Sequence, residues 1–566
     1  MNRLEYYMYN FNVMELKKYL GNNLADLLIE WIPEGEQVFS EENLIQMILS
    51  VYGNKILDNY DFRIRLLKAF EPQRIVDYNV LIPGCEGETD ASILIEHISK
   101  APWGKNEISY KFLDDLGIDH EYFEKEIDDR ESIETVESYD KFYELLDYQF
   151  IIRQKILTYV NSDNDEVKMI VRMPTGTGKT KTAMHTIINQ FIFKQQKKGL
   201  VIWIAHTKEL LDQAYDTFCN VWHHIGDGSV KTYKMWDKFE VDTGQLDNGF
   251  VFIGIQKLTS IKKNNSCLFD LLIKKGRIIV VDEAHRAGAS ETKKAINSLM
   301  EYSGSKKALI GLTATPGRTG MIDNDIFKVM FDNKIIDIDT AILNQLNLSK
   351  VDADNTNPEK DIIKYFQDRG ILSKMKRTPL KYGELTDADI HALKIRMTNN
   401  GYKDVTAEFL KTIATNKKRN AAIINKIIDL NNEHIPTIVF ACSVEHGKML
   451  SAALTMQGIK NGHVFGDMDP VERRNIIAKF KNVDDDLNIL INYEVLTTGF
   501  DATNIRCVFI TRPTNSVVLY SQMLGRGLRG PQMGGNEYCE LIDVEDNLEK
   551  YTNESQAFNY FSDYWS

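Results

Sequence analysis

Cysteine is scarce in this 566-residue chain, and the six present (Cys85, Cys219, Cys267, Cys442, Cys507 and Cys539) form no CxxC pair. That scatter excludes a four-cysteine zinc cluster and a disulfide framework, leaving reduced core thiols as the expectation. Long apolar runs are absent too: none approaches the ~18 residues that a membrane span needs. The opening MNRLEYYMYNFNVMELKKYL has neither the basic-then-apolar order of a signal peptide nor an Arg/Ser-rich transit composition. A soluble, cytoplasmic protein with no membrane contact and no zinc is expected. Repeats of 20–50 residues are missing, which excludes a solenoid.

Net basic charge is also lacking, since the formal net charge is −13. The deficit is local. Residues 1–140 hold 13 Lys+Arg against 29 Asp+Glu, whereas residues 141–566 hold 55 against 52. A near-neutral remainder can carry a basic groove, so the overall acidity does not exclude nucleic acid.

What is present begins with helical spacing, as in LIQMILSVYGNKIL and DFRIRLLKAF. Residues 1–140 are expected to form an acidic helical accessory domain ending in EKEIDDRESIETVESYD, read as a solvated linker. From 141 the texture changes to apolar runs of buried-strand length: EVKMIVRM, GLVIWIAH, GFVFIGI, RIIVVDEAH and ALIGLTATP. Helical stretches separate most of them, the alternation of a parallel sheet covered on both faces. A second series, PTIVFACS, NILINYEV, IRCVFITRP and YCELIDV, begins near 415. The expected fold class is α/β: two tandem domains of parallel sheet flanked by helices, at 141–335 and 415–545. Residues 336–414 are read as a linker or accessory segment, with Lys374, Lys376 and Arg377 in a solvated turn before Pro379. Residues 546–566 are read as an aromatic tail.

Two motifs carry chemistry by themselves. MPTGTGKT, Met173 to Thr180, follows a strand and opens a helix. Pro174, Thr175, Gly176, Thr177 and Gly178 form a loop whose backbone can wrap phosphates. Lys179 adds a cation at the β/γ-phosphates, and the Thr180 hydroxyl can ligate Mg²⁺. The strict pattern wants glycine where Met173 stands. IIVVDEAHRAGA places Asp282 and Glu283 at a strand end, where Asp282 can hold the Mg²⁺ shell and Glu283 can orient and deprotonate an attacking water.

PTGTGKT, VVDEAH, GLTATPGRT, VLTTGFDA and QMLGRGLR occur in the order and spacing of superfamily 2 helicases and translocases, which the chain resembles over about 141–545. The resemblance implies two RecA-like lobes and ATP hydrolysis with Mg²⁺. It implies an adenine-reading pair Tyr148 and Gln149, further ATP contacts at Gly499 and Asp501, and a coupling relay through Thr313 and Thr315. Nucleic-acid or coupling contacts are implied at His206, Gln256, Ser443, Thr497 and Thr498. At the motif ending in Arg529, the resemblance implies an arginine finger for ATP's γ-phosphate, with Arg526 its companion and Gln522 positioning water or phosphate oxygens. TATP and QxxGR resemble the type I and III restriction motor subunits, the RadD-like proteins and the XPB-like group, so DNA is favoured over RNA. The function expected is an ATP-dependent DNA helicase or double-strand translocase in phage defence or repair. The alternatives are an RNA helicase, or a nucleotide-gated sensor that signals to a protein partner through residues 1–140.

Overall fold

The computed structural model describes residues 3–21, 24, 28, 39–123, 130–139, 143–286, 290–301, 304–316, 321–338, 358–383, 405–466, 468, 470–497, 500, 502–514, 516–544 and 546. The chain divides into two compact units. One comprises residues 1–129, 380–383 and 407–494, and the other residues 130–379, 384–406 and 495–566.

The second unit is built on an eight-stranded sheet. Its strands are β1 (Ile133–Val136), β2 (Glu166–Arg172), β3 (Leu200–Ala205), β4 (Val230–Met235), β5 (Gly249–Gly254), β6 (Gly276–Val281), β7 (Lys307–Thr313) and β8 (Ile335–Ile336). Their order is β1-β4-β5-β3-β6-β7-β2-β8. The central pairs are parallel, and β1 alone runs antiparallel, along β4. Strands β3, β5 and β7 are buried along their whole length, because helices cover both faces. Parallel order sets the carboxyl ends of β2 to β8 on one edge, so the segments that follow β5, β3, β6, β7 and β2 are neighbours in that sequence.

Two expectations are corrected here. The stretch read as a solvated linker contributes β1, whose register pairs Ile133 with Tyr233 and Val136 with Val230. The acidic residue between them is why this edge pairs at all: Glu134 meets the fully buried Lys234 and the Tyr215 hydroxyl. Residues 124–129 of that stretch lie outside the described residues. The expected turn at Lys374, Lys376 and Arg377 is strand β9 (Lys374–Leu380), held by Arg377 against the buried Asp543 at 2.9 Å. The helix Pro358–Asp368 precedes it, and Phe366 packs edge-on to Tyr148 with ring centroids 4.8 Å apart. Strands β13 (Cys507–Ile510) and β14 (Tyr538–Val544) run parallel in the same unit.

In the first unit, β11 (Asn461–Val464), β12 (Ile489–Asn492) and β10 (Thr437–Phe440) lie side by side and parallel. All four runs of the second series are therefore strands. The described part of residues 3–123 is helical, as expected, around a core that includes Phe11, Leu44, Phe62 and Phe112. Its helix Glu41–Tyr52 packs on the helix Val444–Met456, where Ser50 Oγ lies 2.9 Å from Thr455 Oγ1 and 3.3 Å from Ser451 Oγ. No described helix is long and apolar enough to cross a membrane. The aromatic tail lies outside the described residues apart from Asp546.

Candidate active site

The phosphate loop leaves β2 and enters the helix Lys179–Asn189. Gly176 and Gly178 hold φ of 88° and 79°, left-handed values that side chains disfavour. At Gly178 the need is doubled, because a Cβ there would stand 2.4 Å from Gln149 Nε2. Gln149 is itself buried: its Nε2 donates to the Thr177 carbonyl at 3.0 Å, and its Oε1 accepts from the Leu146 amide. The Tyr148 hydroxyl donates to the same Thr177 carbonyl at 2.7 Å. The expected adenine-reading pair thus grips the far side of the loop. Within the loop, Thr177 folds back to donate to the Pro174 carbonyl at 2.8 Å.

Sheet order supplies the acids. Strand β7 lies between β2 and β6, so Thr313, Asp282 and the loop converge at one edge. The Asp282 amide continues the ladder to the Ile204 carbonyl, and its carboxylate accepts from the Glu283 amide at 2.9 Å. Glu283 has φ of 46°, a left-handed backbone on a non-glycine residue, of the kind strained sites retain. That kink aims its carboxylate at Lys179 Nζ, 3.6 Å away. Burial pushes the Asp282 carboxyl above the usual range. Burial acts likewise on Glu283, but Lys179, with Arg526 and Arg286 adding to it, outweighs it and holds that carboxyl low. The two neighbours are thereby driven apart in basicity, the division that separates a proton acceptor from a metal-binding or proton-bearing partner.

A residue missing from the expected site completes it. His285 Nδ1 lies 3.1 Å from Thr313 Oγ1 and 3.3 Å from Glu283 Oε2, while Nε2 lies 3.4 Å from Gln522 Nε2. The Thr313 hydroxyl donates to the Thr315 carbonyl and accepts from the Thr315 amide, both at 3.0 Å. With that hydroxyl proton committed, the network assigns the imidazole hydrogen to Nδ1 and leaves Nε2 to accept from the Gln522 amide. Burial drives the His285 pKa down to about 3, so the ring is neutral. Its signal stood in the sequence as the histidine of DEAH.

The glycine-rich arginine segment arrives from far along the chain. A Cβ on Gly525 would stand 2.6 Å from Thr175 Cγ2, so the helix Val517–Leu524 can end against the phosphate loop only through glycine. Arg526 is the arginine whose charge acts on Glu283, and its guanidinium also donates to the Phe500 and Gln522 carbonyls. Arg529 lies with its stem 3.9 Å from the Cβ position of Gly176, and its carbonyl accepts from the Ser373 hydroxyl at 2.6 Å.

Residues 142–318 match the family described as type III restriction enzyme, res subunit, and residues 419–530 match the helicase conserved C-terminal domain. The chain belongs to helicase superfamily 2. Among its superfamily 2 relatives is "Putative ATP-dependent helicase IRC3" of Saccharomyces cerevisiae, 26% identical over 70% of this chain and 51% of that protein. The type I restriction enzyme EcoAI endonuclease subunit of Escherichia coli is 24% identical over 72% and 47%. The ATP-dependent DNA helicase MPH1 of Scheffersomyces stipitis is 27% identical over 42% and 19%. The chain thus spans about half the length of the first two relatives, or less.

The other residues expected from superfamily 2 motifs fall further along the edge or elsewhere. His206 follows β3 and Gln256 follows β5; the Gln256 amide faces the His206 carbonyl at 3.5 Å. Both line a cleft of about 530 Å³ together with Lys208, Trp236, Asp237 and Lys257. Thr497 is buried. Ser443 belongs to the other unit, where its hydroxyl caps the helix Val444–Met456 by accepting the His446 amide at 3.1 Å. Thr498, Gly499 and Asp501 lie outside the described residues. Thr180 sits in the first turn of its helix, next to Lys179.

Proposed function

We propose that this chain is an ATP-driven motor on nucleic acid with DNA as its track, a DNA helicase or double-stranded DNA translocase. The observation that carries the reading is the contact of Gln522 with His285, beside the close approach of Gly525 to Thr175, which brings a segment so distant in sequence to the phosphate loop, as a phosphate shared by both would require. ATP would be held by the loop Pro174–Thr180, and Mg²⁺ by Thr180 and Asp282. The residues fit such an ion: a buried carboxylate pushed toward neutrality regains its charge beside a divalent cation. The ion would supply charge neutralisation at the β/γ-phosphates. Glu283, kept ionised by Lys179 and Arg526, is the acceptor for the proton of the attacking water, and Arg526 or Arg529 meets the developing charge.

DNA is the proposed track because the chain is similar in sequence to relatives named as a restriction enzyme subunit and a DNA helicase. Phage defence or DNA repair in the cytoplasm is the setting proposed with it, and the functional division is kept at 1–140, 141–335, 336–414, 415–545 and 546–566. For residues 1–140, bracing of the motor is favoured over signalling by the hydrogen-bonded seam at Ser50. The test is ATPase rate against single-stranded DNA, duplex DNA, forks and RNA. Stimulation by DNA and none by RNA is expected. Stimulation by RNA alone overturns the DNA assignment, and no stimulation by any polymer overturns the motor.

A further inference from the structure

The cleft beyond His206 holds two lysines, and both are already engaged. Lys208 opens the helix Lys208–Ile225 and lies 3.3 Å from Asp237 Oδ2, while Lys257, on the helix Ile255–Asn264, lies 2.7 Å from Glu240 Oε1. The two carboxylates come from one segment, the turn after β4, in which Asp237 takes φ of 51°. They are 60% and 79% exposed, against 37% and 24% for their lysines, so water reaches the acids more freely than the cations; Asp237 lines the cleft and Glu240 lies outside its lining. Each occupies the place beside an ammonium group that a phosphate oxygen would take. Exposed ion pairs contribute at most about 1 kcal/mol each, so both are exchangeable.

We propose that Asp237 and Glu240 are internal phosphate surrogates that set the cleft's selectivity for a polymer backbone over isolated anions; this rests on the nucleic-acid reading above. A single anion gains little by displacing one carboxylate from one lysine. Successive phosphates of one strand displace both, and the second exchange proceeds at the high effective concentration that the first creates. Once displaced, the acids stay close and repel weakly held backbone, which sharpens the distinction.

The experiment uses the full chain and labelled single-stranded and duplex DNA of about 20 nucleotides, read by fluorescence anisotropy at fixed salt. Asparagine tolerates the left-handed backbone at position 237, so an Asp237→Asn, Glu240→Gln double variant keeps both shape and conformation. We expect it to bind DNA roughly 3–10-fold more tightly, two exposed pairs' worth. Pyrophosphate should compete against it at a correspondingly lower concentration than against the unaltered chain. The converse pair, Lys208→Ala with Lys257→Ala, should bind DNA more weakly. If the unaltered chain binds DNA and the neutralised variant binds no tighter, the surrogate role is overturned while the nucleic-acid reading stands. If the unaltered chain binds no nucleic acid, that reading falls first.

Discussion

At one end of the sheet's carboxyl edge, between β6 and β2, Asp282, His285, Thr313 and Gln522 are buried, and His285 bonds both Thr313 and Gln522. At the other end, beyond β3, Lys208 and Lys257 are half-exposed and paired with acids that water also reaches. The first end is pre-organised and expensive to disturb, because each buried polar group has its partner and losing one strands the next. The second end is held by contacts worth little, so its occupants can be exchanged many times without cost to the fold. A motor that hydrolyses one small ligand in fixed geometry while letting another slide would use both kinds of construction on one sheet.

The largest effect should come from breaking the buried end. Arg526→Ala should lower ATP turnover by about 10³-fold or more while leaving ATP affinity within a few-fold, as single-turnover and nucleotide-binding measurements would check. Glu283→Gln should be nearly as severe, and normal turnover in it would refute the proton-acceptor role. His285→Ala strands the Thr313 and Gln522 groups; a loss of about 10–100-fold in nucleic-acid-stimulated turnover is expected, at the scale of ~1–3 kcal/mol per unsatisfied buried group. The readout separating a coupling role from collapse is the unstimulated rate, which should fall less than the stimulated one.

Acid should tell buried from exposed construction as well. Burial lowers the pKa of His185 to about 4 and those of His285 and His446 to about 3. An unfolded histidine takes up its proton near pH 6.5, so these three favour the folded state above that pH, and the advantage is lost as pH falls toward the folded values. Asp282, raised by burial, opposes one of them. Stability should therefore fall by about 3 kcal/mol per pH unit below pH 6, visible as a urea midpoint shifting between pH 7 and 5. The smallest effect belongs to the exposed end: Lys208→Ala should reduce the slope of log affinity against log salt by about 0.7–0.9.

Much of the buried end was legible in the chain, because phosphate chemistry demands particular residues in a fixed order along strands with strong apolar signal. The strands β2, β3, β5, β6 and β7 and the loop, the acids and TATP stood in plain view, whereas β4 (VKTYKM), which carries Lys231 and Lys234, is not among the expected runs. What escaped depends on partners rather than on local pattern. Strand β1 carries Ile133 and Val136 around acids and becomes a strand only because β4 offers an unpaired edge and Lys234 a buried charge. Strand β9 reads as a basic turn until Asp543 claims Arg377. The engagement of Lys208 and Lys257 joins residues distant along the chain, and no spacing rule reports it.

The seam at Ser50, Ser451 and Thr455 also bears on how the chain is made. Because residues 1–129 form one compact unit with residues 407–494, the helix Glu41–Tyr52 lacks its packing surface on the helix Val444–Met456 until about 400 further residues have been synthesised. At about 5–20 residues per second, that is a wait of roughly 20–80 s, during which the face that the helix Glu41–Tyr52 turns to its later partner stays open to chaperones or to misassociation.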